Sequence, residues 1–300
     1  MNNLKKVIVL LTMGLFTASC GNAQSDGKNQ TKEYAAKTII KKLNKGEALL
    51  VANAIIKDDL IFTEINDVEL STPGQFTANI QGSIYFQSCV FLGSVKSEGF
   101  KEVNGRKVPV KSHFAKDVNF IDCDFRKDVD FSESEFERTV NFNNSVFRGN
   151  TEFNNMLCMG KQNQWWEISA DSIFMMCGTI FRGDLNMMDA NFKQGATLQN
   201  LTVENFQLSN LKSEGDFDFS NAKVKGEMLF NYAKCAGEVN LSNGRFDSRF
   251  DFIGASVQGK CDMGASQFRG NVKTNDSQFA GGCQTTGATF IGTYDIENSK

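Results

Sequence analysis

Asp218, Asn240, Asp262 and Gln284 stand 22 residues apart, and Asp130 stands the same distance before Glu152. If the chain coils with that period, each set stacks on one outer face. Its carboxylates then lie about 5 Å or 9–10 Å apart, the separations that paired acids use in glycoside hydrolysis. A regular coil also generates polar ladders without any catalytic purpose, and Asn119, Asn141 and Asn191 occupy equivalent places. The acids are therefore read as ladder, with a carbohydrate-active enzyme as the alternative. Cys261 and Cys283 share the 22-residue spacing. A Cα separation of about 4.8 Å is compatible with a disulfide, but side chains in parallel register point the same way, which favours free thiols. Cys89, Cys123, Cys261 and Cys283 fall at the partner position of the coil and Cys158 and Cys235 at its ladder position, so all six read as small buried hydrophobes. His113 is the single histidine and directly precedes Phe114, so it reads as a coil-edge side chain rather than a triad base. There is no C-x-x-C, no phosphate-binding glycine loop and no calcium-binding glycine–aspartate series; Gly281-Gly282 reads as a corner. No cofactor and no metal are expected.

The element that must position these residues is announced by phenylalanine. Phe120, Phe125, Phe131, Phe136, Phe142, Phe147 and Phe153 follow one another in steps of 5 and 6. Each has a partner two residues earlier: Val118, Cys123, Val129, Ser134, Val140, Ser145 and Thr151. The phasing returns from Phe219 to Ile296 with Val, Leu, Cys, Met and Thr substituting for Phe. In extended chain, residues i−2 and i face the same way, so Val129 and Phe131 point inward and Asp130 outward. Steps of 5 and 6 scatter over all sides of a helix, which excludes a helical reading. They suit a short strand and a tight corner, and the intervening Asn, Gly, Ser and Asp suit such corners. Four strands close a coil of about 22 residues. A fixed period of this kind identifies a solenoid.

The motifs Ala190-Asn191-Phe192, Ala222-Lys223-Val224 and Ala288-Thr289-Phe290 resemble the pentapeptide-repeat family, over most of the chain after about residue 84. The strict family pattern is Ala, then Asp or Asn, then Leu, at an even spacing of five; this chain is similar to a looser, Phe-rich branch. The resemblance implies an all-β fold, a right-handed quadrilateral parallel β-helix. It also brings DNA mimicry toward gyrase into view, since some members act so. An export signal and weak acidity oppose that for this chain.

That signal is the N-terminus. Lys5 and Lys6 precede a mostly apolar run from Val7 to Phe16, and then Thr17-Ala18-Ser19-Cys20-Gly21 follows. A basic head, an apolar core and small residues read as a secretory signal, too short to span a membrane. The small residues before Cys20 resemble a bacterial lipoprotein signal, which implies cleavage after residue 19 and lipidation of Cys20. No Asp follows Cys20, which by resemblance to proteobacterial sorting points to the outer membrane, periplasmic or surface-facing. Residues 20–30 read as a flexible tether. Losing Lys5 and Lys6 takes the net charge from −3 to −5, which gives no electrostatic case for nucleic acid.

Residues 31–46 read as a capping helix with Thr31 as N-cap, Ala36, Ile40 and Leu43 along one stripe, and Gly46 as the stop. A solenoid needs its first coil covered. The β-helix then runs over 47–300. Its opening coils at 47–82 are irregular, with Ile56, Leu60, Phe62, Val68, Leu70 and Ile80 inward, and regular coils begin at Ile84–Phe86. Two insertions interrupt it. Residues 92–112 read as a protruding basic loop carrying Lys101, Arg106 and Lys107. Residues 159–172 carry Trp165-Trp166, read either as an irregular coil with one Trp inward or as a contact surface for a protein or glycan. The expected protein is a non-enzymatic, lipid-anchored interaction module of the cell envelope, held on the bilayer through Cys20.

Overall fold

The computed structural model describes residues 32–300, so the signal, the tether, Cys20 and Thr31 lie outside the described residues. Over the rest, short strands cycle through four faces. Val118–Ile121, Asp124–Phe125, Val129–Asp130 and Glu135–Phe136 make one coil, and Val140–Asn141 starts the next above Val118. Stacking gives sheets of 11, 12 and 10 strands on three faces, parallel except for two antiparallel hairpin strands counted in the 12-stranded one. The remaining face carries two sheets, of 4 and 7 strands. Below, the faces are numbered first to fourth in the order of those four strands.

The alternation of 5 and 6 comes from the corners. After the first and third faces the chain turns in two residues, the second of them left-handed, as at Asp122 (φ 53°) and Glu133 (φ 60°). After the second and fourth faces it turns in three residues, with no positive φ at 126–128 or 137–139. Asn tolerates left-handed backbone at little cost. It fills that place at Asn144, Asn155, Asn200, Asn210, Asn221 and Asn243. The residues also bond up the stack: the Asn144 side-chain amide donates to Asp122 at 3.0 Å and that of Asn155 to Glu133 at 2.8 Å.

The small partner after each two-residue corner has a second task. Ser145 Oγ donates to the Phe120 carbonyl of the coil before (3.0 Å) and accepts from the Cys123 N–H (3.2 Å). Ser266 does the same for Leu241 and Gly244. The Ser145 hydroxyl thereby pairs the buried Cys123 N–H, whereas the Gly244 N–H and Leu241 C=O also bond each other at 3.3 Å.

The axis is filled by the ladder. Phe86, Phe120 and Phe142 stack at centroid spacings of 5.2 Å with planes within 9°. Phe91, Phe125 and Phe147 do likewise at 4.8 and 5.1 Å. All are fully buried, each contributing roughly 1.5–3 kcal/mol.

At the N-terminal end the helix is shorter than its sequence suggests, Ala36–Leu43, because Lys32–Tyr34 is a strand paired with Ala54–Ile56. Its N-cap is Ala35, and the Asp58 carboxylate, 22 residues on, accepts the Ala36 N–H in place of a local cap. Ala36, Ile39, Ile40 and Leu43 are buried at the first coil, and Gly46 (φ 68°) ends the following turn.

Leu70, expected inside, is 62% exposed, and Val68 is only half-buried. Both lie on a hairpin, Val68–Thr72 with Gln75–Ile80, that leaves the coil. The basic segment at 92–112 is likewise not a loop. Val95–Lys96 is a coil strand, and Glu98–Val103 with Arg106–Phe114 forms a second antiparallel hairpin. Its turn, Asn104-Gly105, has φ of 51° and 72°. Positive φ at both central residues is what a tight two-residue hairpin turn requires.

The stretch 159–172 is no insertion of a segment. Phe142 is followed on the next coil by Trp165, 23 residues on rather than 22, so one residue is added between Gly160 and Asn163. The first-face ladder breaks into its two sheets at this point. Two buried side chains repair the break. Asn163 Oδ1 accepts the Val140 N–H at 3.2 Å, and Trp165 Nε1 donates to the Val140 carbonyl at 3.0 Å.

Candidate interaction surfaces

The two acidic ladders prove to be one. Asp130, Glu152, Met175, Thr197, Asp218, Asn240, Asp262 and Gln284 stack in register up the third face. Most of its short polar side chains bond to the corner beside them. Asp130 Oδ1 accepts the Ser132 N–H at 2.9 Å, Asp218 that of Ser220 at 2.9 Å, and Asp262 that of Gly264 at 2.8 Å. Asn240 does the same for Ser242 without any charge. The carboxylates thus do what the amide does, which is to hold a turn. Glu152 is the exception on the ladder, and Glu98 of the strand Glu98–Val103 lies beside Asp130. Partial burial and the neighbouring Asp130 carboxylate push both carboxyls above the usual range. Among the described residues no group of three or more His, Cys, Asp or Glu is placed to hold a metal ion.

Two cysteines of the core act as hydroxyl substitutes. Cys123 and Cys89 sit at the small-partner position, and their thiols approach the Phe86 and Val51 carbonyls at 3.8 and 3.6 Å. Burial raises the Cys123 and Cys158 thiols strongly and pushes Cys235 up to about 12, which suppresses the reactive thiolate. Cys283 is the exposed thiol, in register with buried Cys261. His113 points outward on the fourth face, 3.1 Å from Glu137, in an ion pair when protonated.

Charged side chains on the second face mostly pair. Asp124 holds Arg126 and Arg148, and Asp171 holds Arg148 and Lys193, all within 3.2 Å. Lys212 and Lys234 stack beyond them with no ion partner among the described residues. They flank an open groove of about 380 Å³ that also touches Glu214 and Gln258.

Of the residues expected to form a contact surface, Trp165 is fully buried among Phe142, Phe153 and Phe181 and presents no surface. The repair of the Val140 backbone draws it inward, and adjacent Trp166 is half-buried. Lys101, Arg106 and Lys107 belong together on the second hairpin, and none of them is in an ion pair among the described residues. The two hairpins lie side by side, because Gln75–Ile80 pairs in parallel with the end of Arg106–Phe114. Their strand order is Val68–Thr72, Gln75–Ile80, Arg106–Phe114, Glu98–Val103, and each outer strand has one partner.

One face of the second hairpin carries the cross-strand pairs Glu98–Lys111, Phe100–Pro109 and Glu102–Lys107. Phe100 is 70% exposed there. The opposite face packs Val110, and Lys101 lies 4.8 Å over the Phe76 ring. Phe100 and Leu70 escaped sequence reasoning. Phe100 does have a signal, since it falls off the 5/6 rhythm between Phe91 and Phe114.

Residues 110–157 match a family model described as pentapeptide repeats, nine copies. The coils in that segment are built of pentapeptide repeats. No curated protein and no solved structure gives a significant match to the chain. The matched segment ends three residues before Gly160, so it covers the most Phe-rich coils and stops short of the added residue. A pentapeptide-repeat β-solenoid supports a structural or interaction module.

Proposed function

We propose that the protein is a non-catalytic, lipid-anchored interaction module of the bacterial cell envelope. In this reading the pentapeptide-repeat solenoid is a rigid stalk, and its two N-terminal hairpins make the contact. The observation that carries it is an exposed aromatic on a hairpin outside the coils. Phe100 is 70% exposed and shares its face with Lys107 and Lys111 of the facing strand, Lys107 being in no ion pair among the described residues, while Lys101 and Arg106 lie on the opposite face. An exposed aromatic beside cations on a braced hairpin is the composition of an interaction hot spot. The partner is a protein or glycan of the envelope, and the bilayer is engaged through acylated Cys20, with the outer membrane as destination.

The test has two arms. Intact mass of the mature protein reports the anchor: an N-terminus at Cys20 carrying acyl chains supports it, and an unmodified Cys20 or cleavage elsewhere sinks it. Capture from the native envelope is then compared between wild type and the double variant Phe100→Ser, Lys107→Ser, two positions on one face of the hairpin. Loss of one specific partner in the variant supports the hairpin contact, and equal capture removes it. Polysaccharide cleavage that disappears in Asp218→Asn, Asp262→Asn would overturn the non-catalytic part.

A further inference from the structure

We propose that Cys261 and Cys283 form a thiol–disulfide exchange pair that staples the last two coils of the third face. The two residues are in-register neighbours on adjacent strands, Cys261–Asp262 and Cys283–Gln284. Neighbouring strands place Cα atoms about 4.8 Å apart, within the range a disulfide bridges. In-register parallel side chains leave the Cβ atoms slightly too far apart, so one strand must shift toward the other. The strand Cys283–Gln284 is free to do so, because it ends its sheet and has a partner on one side only. Gly281 and Gly282 (φ 82°) directly precede it.

Access divides the roles. Cys283 is exposed and Cys261 is fully buried. A hydrogen bond from Cys261 lowers the Cys283 thiol below its usual value and raises that of Cys261, which suits Cys283 to attack first. The co-reactant is a small disulfide. The Cys283 thiolate attacks one of its sulfurs and expels the other half as a thiolate. Cys261 then loses its proton and attacks Cys283 Sγ, expelling the second half. Two protein thiols and one disulfide become one protein disulfide and two small thiols. Cys89, Cys123, Cys158 and Cys235 do not compete, because they are buried, and the half-buried Cys177 is followed separately by peptide mapping.

The experiment is titration of the reduced full-length protein with oxidised glutathione, read by intact mass and by peptide mapping. Wild type is expected to become lighter by two hydrogens, with the bond mapped between Cys261 and Cys283. Cys261→Ser is expected to retain glutathione on Cys283. Cys283→Ser is expected to leave Cys261 reacting at least about tenfold more slowly, because Cys261 is fully buried. Native circular dichroism of each variant confirms that it has folded. A wild-type protein that keeps glutathione on Cys283 without closing, or that bonds a different pair, overturns the proposal.

Discussion

The coils from Phe86 to Phe153 and those from Met156 to Ser213 have the same shape and different fillings. In the first set Phe stacks on Phe with nearly parallel planes. In the second, the axis holds Met176, Met187, Leu198, Val203, Leu208 and Ala170, and the Phe174–Phe192 pair is tilted by 50°. Strand pairing nonetheless continues in both. The common factor is the corner: a left-handed residue, a small partner behind it and a polar side chain holding the turn. The corners specify the coil, and the large residues only have to fill it.

Substitutions can break this contrast, and the largest effect is expected at the junction of the two regions. Trp165→Ala should cost about 3–5 kcal/mol in denaturant unfolding, from lost packing and from the Val140 carbonyl left unpaired. Phe142→Leu, which keeps a filler, should cost no more than about 2 kcal/mol. Equal costs would mean that Phe stacking itself shapes the coil. Asn163→Val should cost about 1–3 kcal/mol by leaving the Val140 N–H without its acceptor. Ser145→Ala removes one bridging hydroxyl and should cost about 1–2 kcal/mol, with faster amide exchange at Cys123. Tyr232 occupies a left-handed corner at φ 58° where the coil before uses Asn210 and the coil after uses Gly254. Tyr232→Asn should therefore stabilise by roughly 0.5–1 kcal/mol, raising the thermal midpoint.

The smallest effect concerns pH. The folded-state carboxyls of Glu98 and Glu152 lie above their unfolded values, so their contribution is present in acid and lost as pH rises through the folded values. Glu98→Gln should flatten that part of the stability profile, measured by denaturation between acid and neutral pH. An unchanged slope would show that Asp130 and Glu98 do not sense each other.

Period, face number and inward residues were legible because Phe125, Phe136 and Phe147 mark them without ambiguity. The coils around Met176 and Leu198 were harder to see, since the same spacing there is carried by ordinary hydrophobes. One added residue before Asn163 resembles an insertion in sequence, because a single shift moves every later residue out of phase. The hairpins lost their visibility for another reason. Leu70 and Val68 alternate like core strand residues, and nothing local distinguishes a strand that leaves the coil. Asn104-Gly105 was a readable turn signal. The burial of Trp165 was not readable, since it depends on a backbone gap one coil away.

The stacking of coils has a mechanical consequence. From Val140 on, each coil is bonded only to the coils before and after it, 21 to 23 residues away in either direction. Pulled along its axis from both ends, such a stack does not rupture all at once. It sheds coils singly, and each freed coil pays out roughly 70 Å of chain. The doubly clamped coil at Val140 and Trp165 should be the step that resists longest. A protein tethered at one end and gripped near the hairpins would then load only the few coils between, leaving the longer stack beyond them slack.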